Sequence, residues 1–275
     1  MEVGVMFWAG RDPLETVREV RSLGVSHGQI LIPGDVAMDG AAISDWRAAT
    51  ESEYFTLVTC FAAYDGEDYA DAPTIERTVG FIPRDTRAAR EARTIELSDF
   101  AAALGIPSIA CHVGFVPEHA GDPDRTAVRD MVRRICDHAA ANGQTFAMET
   151  GQEPADVLLE FLREVDRPNL KINFDPANMI MYGTGDPIEA LGVLGPHVIS
   201  VHAKDGVWPP AGVPRGLGSE RPLGQGDVGM ERFIAKLKSI GYDHPVNIER
   251  ECHDPGERLR DIRAGVQLLR AIIAS

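Results

Sequence analysis

No stretch of this chain approaches the roughly 18 consecutive apolar residues that a membrane-spanning helix requires. Basic residues are scarce: 27 Lys and Arg stand against 42 Asp and Glu, a formal net charge of -15. A surface that acidic repels phosphate backbones and anionic lipid, so neither nucleic acid nor a membrane is an expected partner. The four cysteines, Cys60, Cys111, Cys136 and Cys252, share no CxxC spacing. They read as reduced thiols, neither a zinc cluster nor a disulfide frame. No GxSxG nucleophile elbow and no Walker loop occurs. Met1 to Met6 lacks a basic n-region, so no secretory signal is read and a cytoplasmic protein is expected. No Pro/Ser-rich linker and no shift of composition divides the chain. With 44% hydrophobic and 25% charged residues, 1–275 reads as a single globular domain.

What is present is an alternation. Short β-branched apolar runs recur at 2–7, 28–32, 55–60, 108–113, 145–149, 170–174, 198–202 and 246–250. Several are almost continuously hydrophobic, as strands buried on both faces of a parallel sheet are. Between them the period turns helical: Val128, Met131, Val132, Ile135 and Ala139 make one stripe, and Leu259, Ile262, Val266 and Leu269 another. Asp12-Pro13, Asp186-Pro187 and Asp254-Pro255 each place an N-cap acceptor before a proline whose missing N–H costs nothing at the first helical position. Gly24, Gly105, Gly143 and Gly241 each close a helical stretch ahead of a strand. Eight strands at a mean pitch of about 34 residues predict an α/β fold, a single (β/α)8 TIM barrel. A doubly wound open sheet is the alternative. The one irregular stretch, Asp205 to Gly229, follows the seventh strand on the face where such barrels keep their active sites.

Chemistry should therefore collect at the carboxyl ends of the strands. Read in order, those ends are Trp8, Pro33, Cys60, His112, Glu149, Asp175, His202 and Glu249. Strands five to eight thus end in Glu149, Asp175, His202 and Glu249. Three carboxylates and an imidazole around one barrel mouth are costly to bury unless a cation compensates them. One nitrogen and three oxygen donors suit one divalent ion, Mn2+ first, with Mg2+, Co2+ or Zn2+ as alternatives. Taken singly, each residue could instead be a strand-end group paired with a nearby Lys or Arg.

The segments Met148-Glu149-Thr150, Asn173 to Asn178, Val201 to Asp205, Pro222 to Val228 and Asn247 to Glu249 together resemble the xylose-isomerase-like TIM-barrel superfamily. The resemblance is strongest to its sugar isomerase/epimerase branch: ketose 3-epimerases, hydroxypyruvate isomerases and inosose dehydratase-like enzymes. It implies that Glu149, Asp175, His202 and Glu249 hold a divalent metal, and that Glu149 and Glu249 are the catalytic acid and base on opposite faces of the substrate. Asn178 departs from the ketose 3-epimerase pattern, which has a substrate-binding His there. An Asn still hydrogen-bonds a sugar oxygen. The His202-Ala-Lys204-Asp205 motif is closer to the dehydratase and unclassified isomerase branches. The superfamily's three-metal endonucleases are excluded, because the early strand ends lack the additional histidines and the chain is too acidic for a duplex.

Further substrate-binding candidates each have a plainer alternative. Lys204 could bind a substrate oxyanion or pair with Asp205 or another loop carboxylate. His112 could meet substrate oxygens or be a core histidine. Trp8 could floor a sugar pocket or fill the barrel rim. Glu153 could hold a substrate hydroxyl or merely precede a helix. The GxGxxG match at Gly224–Gly229 follows no buried strand and is read as a turn, with Asp227 near a helix N-cap or facing the metal. His27, His119, His138, His197, His244 and His253 are read as structural.

The reading is a metal-dependent sugar isomerase or epimerase. It would abstract a proton next to a carbonyl, the enediolate charge falling on oxygens held by the ion. The alternative is a keto-sugar or keto-inositol dehydratase or lyase on the same residues, and, outside enzymes, a non-catalytic sugar-binding barrel. The expected partner is a small-molecule sugar or keto-sugar; a homo-oligomer is left open.

Overall fold

All eight apolar runs form strands, and they close on one another. A computed structural model describes residues 1–275. The barrel strands are β1 (Val3–Trp8), β2 (His27–Ile32), β3 (Thr56–Ala62), β4 (Ser108–Cys111), β5 (Thr145–Glu149), β6 (Leu170–Phe174), β7 (Val198–Ala203) and β10 (Val246–Ile248). They form one closed parallel barrel in the order β1-β10-β7-β6-β5-β4-β3-β2. The open-sheet alternative is thereby excluded. Around it run α1 (Pro13–Ser22), α2 (Gly40–Ser52), α3 (Ala72–Thr78), α4 (Arg84–Ala103), α5 (Pro123–Ala141), α6 (Ala155–Val165), α7 (Pro176–Tyr182), α8 (Pro187–Leu194), α9 (Met230–Ser239) and α10 (Pro255–Ala274). No helix is long and apolar enough to cross a membrane.

The local punctuation behaves as its chemistry dictates. Asp12, Asp186 and Asp254 each accept main-chain N–H bonds from the first turn of α1, α8 and α10. Gly105 and Gly143 take φ of +74° and +72°, which lets the chain leave α4 and α5 and turn into the next strand.

Side-chain parity along the strands then sorts the core. Val5, Phe146, Met148, Ile172, Phe174, Val201 and Ile248 belong to a cluster of 63 buried residues shared with the helices. Met6, Phe61, Ala110 and Ala147, from β1, β3, β4 and β5, form a separate cluster with no helical member, which places them inside the barrel. Glu149 has the parity of Ala147, and His202 the parity opposite to Val201 and Ala203. Both therefore point inward.

The stretch after β7 is more ordered than its proline and glycine content suggests. β8 (Asp205–Val207) pairs antiparallel with β9 (Ser219–Arg221) to make a small hairpin above the barrel. Asp205 anchors it. Its buried carboxylate accepts the amides of Gly206, Gly224, Gly226 and Val228 at 2.9–3.2 Å. Asp227 neither caps α9 nor reaches the metal-type cluster; it accepts the Trp208 N–H at 3.2 Å. Gly229 occupies the N-cap position of α9 without a side-chain bond.

Candidate metal centre and substrate cleft

In the barrel order, β5, β6, β7 and β10 are consecutive neighbours. Glu149 closes β5, Asp175 and Glu249 follow β6 and β10 directly, and His202 is the penultimate residue of β7. Four adjacent staves therefore deliver four inward side chains at one height, and one ligand atom from each lies within 4.8 Å of all the others. All four are buried. His202 Nδ1 is 2.9 Å from Glu149 Oε1, 3.1 Å from Glu249 Oε2 and 3.7 Å from Asp175 Oδ2. Asp175 divides its carboxylate: Oδ1 accepts the Ala177 and Asn178 amides at 2.8 and 3.0 Å and so caps α7. Its Oδ2 is buried with no hydrogen-bond partner.

An orphaned buried carboxylate oxygen is expensive. Together with the histidine and the two glutamates it makes a donor set of three oxygens and one nitrogen that fits a divalent ion. The electrostatics agree. Burial alone would lower the His202 pKa, but the Glu249 and Glu149 carboxylates raise it well above its ordinary value. Burial pushes Glu249 up, yet the Lys204 ammonium and the His202 ring hold it well below the usual carboxylate range. A proton on Nδ1 and the Lys204 charge thus hold the carboxylates together. An ion would take the place of that proton among the same oxygens.

Lys204 makes ion pairs, though not with Asp205. Its Nζ is 3.0 Å from Glu249 Oε2, 3.0 Å from Glu251 Oε2 and 3.7 Å from Asp175 Oδ2. His112 Nε2 lies 3.1 Å from Glu149 Oε2, and Asn178 Nδ2 donates to Glu149 Oε1 at 3.3 Å. Lys204, His112 and Asn178, with Trp8, Tyr69 and Tyr182, line a cleft of about 1060 Å³ directly above the cluster. Trp8 carries the Arg258 guanidinium over its ring at 5.0 Å from the centroid.

Glu153 does not line this cleft. It is buried beside the loop after β4, where Oε1 accepts the Val116 N–H at 2.8 Å. Three residues of interest escaped the strand-end reading. His253, read as structural from the sequence, lines the cleft from the loop after β10, and Arg258 lines it from the first turn of α10; the position of both just after the last strand, on the face where barrels keep their sites, was the signal that could have found them. Gln29 lies in the interior of β2, fully buried, with Oε1 2.6 Å from His202 Nε2. The other five histidines set aside as structural do not line the cleft.

A closed (β/α)8 barrel whose adjacent strand ends converge on a carboxylate–histidine cluster under a polar cleft defines a barrel of the metal-site type. The chain belongs to the xylose isomerase-like TIM barrel family, whose family model matches residues 17–272. A solved xylose isomerase domain protein from Planctomyces limnophilus superposes with a TM-score of 0.94 at 42% identity, covering 98% of this chain and 96% of that one. The uncharacterized protein YihM of Escherichia coli (strain K12) is 30% identical over 156 residues, 54% of this chain and 45% of its own length. The L-ribulose-5-phosphate 3-epimerase UlaE of Salmonella typhi is 27% identical over 136 residues, 48% of this chain and 45% of that enzyme. The matches span about half the length of these curated relatives. A D-tagatose 3-epimerase-like protein, a D-psicose 3-epimerase and a 3-keto-D-glucoside 4-epimerase, at 16 to 18% identity, share the fold.

Proposed function

We infer that the protein is a divalent-metal-dependent sugar isomerase or epimerase, with residues 1–275 working as one domain and Glu149 and Glu249 as its acid–base pair. The observation that carries this reading is the unpartnered Oδ2 of Asp175 at the centre of the four-residue cluster. Mn2+ is the favoured ion for this donor set, ahead of Mg2+, Co2+ and Zn2+. When bound, such an ion polarises a substrate carbonyl and acidifies the C–H beside it.

The chain's own groups supply the rest. Glu149 and Glu249 sit three strand steps apart, so they approach the cluster from different sides. A carboxylate on one side can accept a carbon-bound proton while a carboxyl on the other returns one. Return to the same carbon gives an epimer; return to the neighbouring carbon interchanges aldose and ketose. Asn178 and His112 hold Glu149 from the cleft side, and Lys204 holds Glu249. Trp8, Tyr69 and Tyr182 offer faces for the apolar side of a sugar ring.

One feature favours a second reading. His112 and Lys204 stand beside the two glutamates on the cleft, and either can protonate a departing hydroxyl. A keto-sugar or keto-inositol dehydratase therefore shares the site.

The test is metal analysis of purified protein by mass spectrometry, then a panel of ketoses, keto-inositols and 3-keto-glycosides in D2O with added Mn2+. About one ion per chain is expected, with solvent deuterium at the carbon next to the carbonyl. A product of unchanged composition marks the isomerase, and loss of water the dehydratase. A metal content near zero after growth with added Mn2+ would sink both readings.

A further inference from the structure

Gln29 is an amide inside β2, directly before the aliphatic run Ile30-Leu31-Ile32, and it is 0% exposed. A buried amide is tolerated only where its atoms find partners. Those of Gln29 do. Its Oε1 lies 2.6 Å from His202 Nε2, and its Nε2 donates to Asn173 Oδ1 at 3.0 Å. Asn173 Oδ1 also accepts the Ser200 hydroxyl at 2.5 Å. β2 and β7 are three strand steps apart, so this chain of bonds spans the barrel interior just beneath the cluster. Phe61 completes the enclosure, its ring 5.2 Å from that of His202.

The two nitrogens of His202 thus face opposite environments. Nδ1 meets only carboxylates, and Nε2 meets only the Gln29 carbonyl oxygen. A carbonyl cannot donate, so it can bond Nε2 only if the proton sits there. With Nε2–H held in this way, the Nδ1 proton is the one an ion displaces, and the lone pair it leaves is directed between Glu149, Asp175 and Glu249. We propose that Gln29 is a positioning residue for the metal centre: its amide oxygen, oriented by Asn173 and Ser200, fixes the Nε2–H tautomer and the ring angle of His202 and so presents Nδ1 as a ligand. This rests on the metal reading above, but it assigns a role to a residue outside the ligand set. Groups that bond the far nitrogen of a ligating histidine typically contribute about 10- to 100-fold in metal affinity.

The test compares wild type with Gln29→Met, which keeps the volume but removes the acceptor, and Gln29→Glu, which keeps an acceptor and lets Asn173 turn its unpartnered Nδ2 toward it. Mn2+ affinity is measured by calorimetric titration of the full chain. The His202 tautomer is read by 15N NMR of the Zn2+-loaded protein, and folding by thermal melting without metal. Gln29→Met is expected to lose about 10- to 100-fold in Mn2+ affinity and the hydrogen-bonded Nε2–H signal, while still melting cooperatively. Gln29→Glu is expected to match or exceed wild type. Wild-type affinity in Gln29→Met, or a Gln29→Glu variant as weak as Gln29→Met, overturns the proposal while leaving the metal site standing. If Gln29→Met does not fold, the tautomer of wild type and the affinity of Gln29→Glu decide: an Nδ1–H tautomer or a loss of affinity refutes it. Wild-type protein that binds no Mn2+ removes the metal reading itself, and this proposal with it.

Discussion

Replacing Glu153 by Gln should change how stability depends on pH. Glu153 is buried, and burial pushes its carboxyl up to about 8; the Val116 amide and the more distant Arg125 offset this only in part. Arg125 is itself engaged with Glu164 at 2.8 Å. Between pH 4.5 and 8 the folded protein therefore retains a proton that the unfolded chain has released. The native state binds more protons than the unfolded state there, so this group's contribution falls as pH rises through that window and levels off above it. At about 1.4 kcal/mol per pH unit, the full span from 4.5 to about 8 amounts to on the order of 4–5 kcal/mol. Gln keeps the carbonyl that accepts the Val116 N–H and never ionises. Urea unfolding of both proteins in chelator at pH 5, 7 and 8.5 isolates the effect, because every other titrating group cancels in the difference. The variant should be close to wild type at pH 5 and more stable by several kcal/mol at pH 8.5. A difference that stays constant across this range would show that Glu153 is already ionised in the fold, and the reasoning would fail.

Three further outcomes are expected. Glu149→Gln and Glu249→Gln keep volume and an oxygen but cannot accept a proton, so each should lower turnover by about 10²–10⁴-fold and suppress deuterium incorporation; wild-type turnover in either would remove it from the acid–base pair. Shortening the segment from Pro210 to Gly216, which lies between β8 and β9 beside cleft residues Leu217 and Gly218, should depress turnover far more than thermal stability; early melting with normal turnover would mark it as structural. Asp205→Ala strands four amides and should destabilise by on the order of 3 kcal/mol, with faster proteolysis between Pro209 and Leu217; an unchanged urea midpoint would contradict that anchoring role.

The barrel was legible because doubly buried strands have to be apolar on both faces, which leaves runs such as Val198–Ala203 and Thr145–Glu149 visible without an alignment. The metal-type cluster was legible for a related reason: polar residues at the ends of such runs have no cheap place to go. The hairpin after β7 was not visible. Its strands are three residues each, mostly polar, and separated by 11 residues of Pro- and Gly-rich chain, so neither periodicity nor a two-residue turn announces them. Gln29 was hidden because one amide among Ile30, Leu31 and Ile32 barely disturbs an apolar run, and its partners lie 144 and 173 residues away. Lys204 drew attention at the correct place, but its ion-pair partners depend on how β10 is threaded between β7 and β1.

Asp175 serves two masters, and the coupling reaches beyond the cluster. One oxygen is committed to the first turn of α7 and the other to the centre, so the carboxylate cannot swivel without uncapping the helix. That helix is about two turns long. Its first turn carries Asn178, which touches Glu149, and its last carries Met181 and Tyr182, which face the cleft. Met181 also accepts the Gly218 amide with its carbonyl at 2.8 Å, tying down the segment before β9. α7 is thus a short crank: one end is clamped at the four-residue cluster, and the other shapes the cleft above it. Changes of specificity are cheapest at its far end, where a new side chain can reshape the chamber while the clamp stays shut.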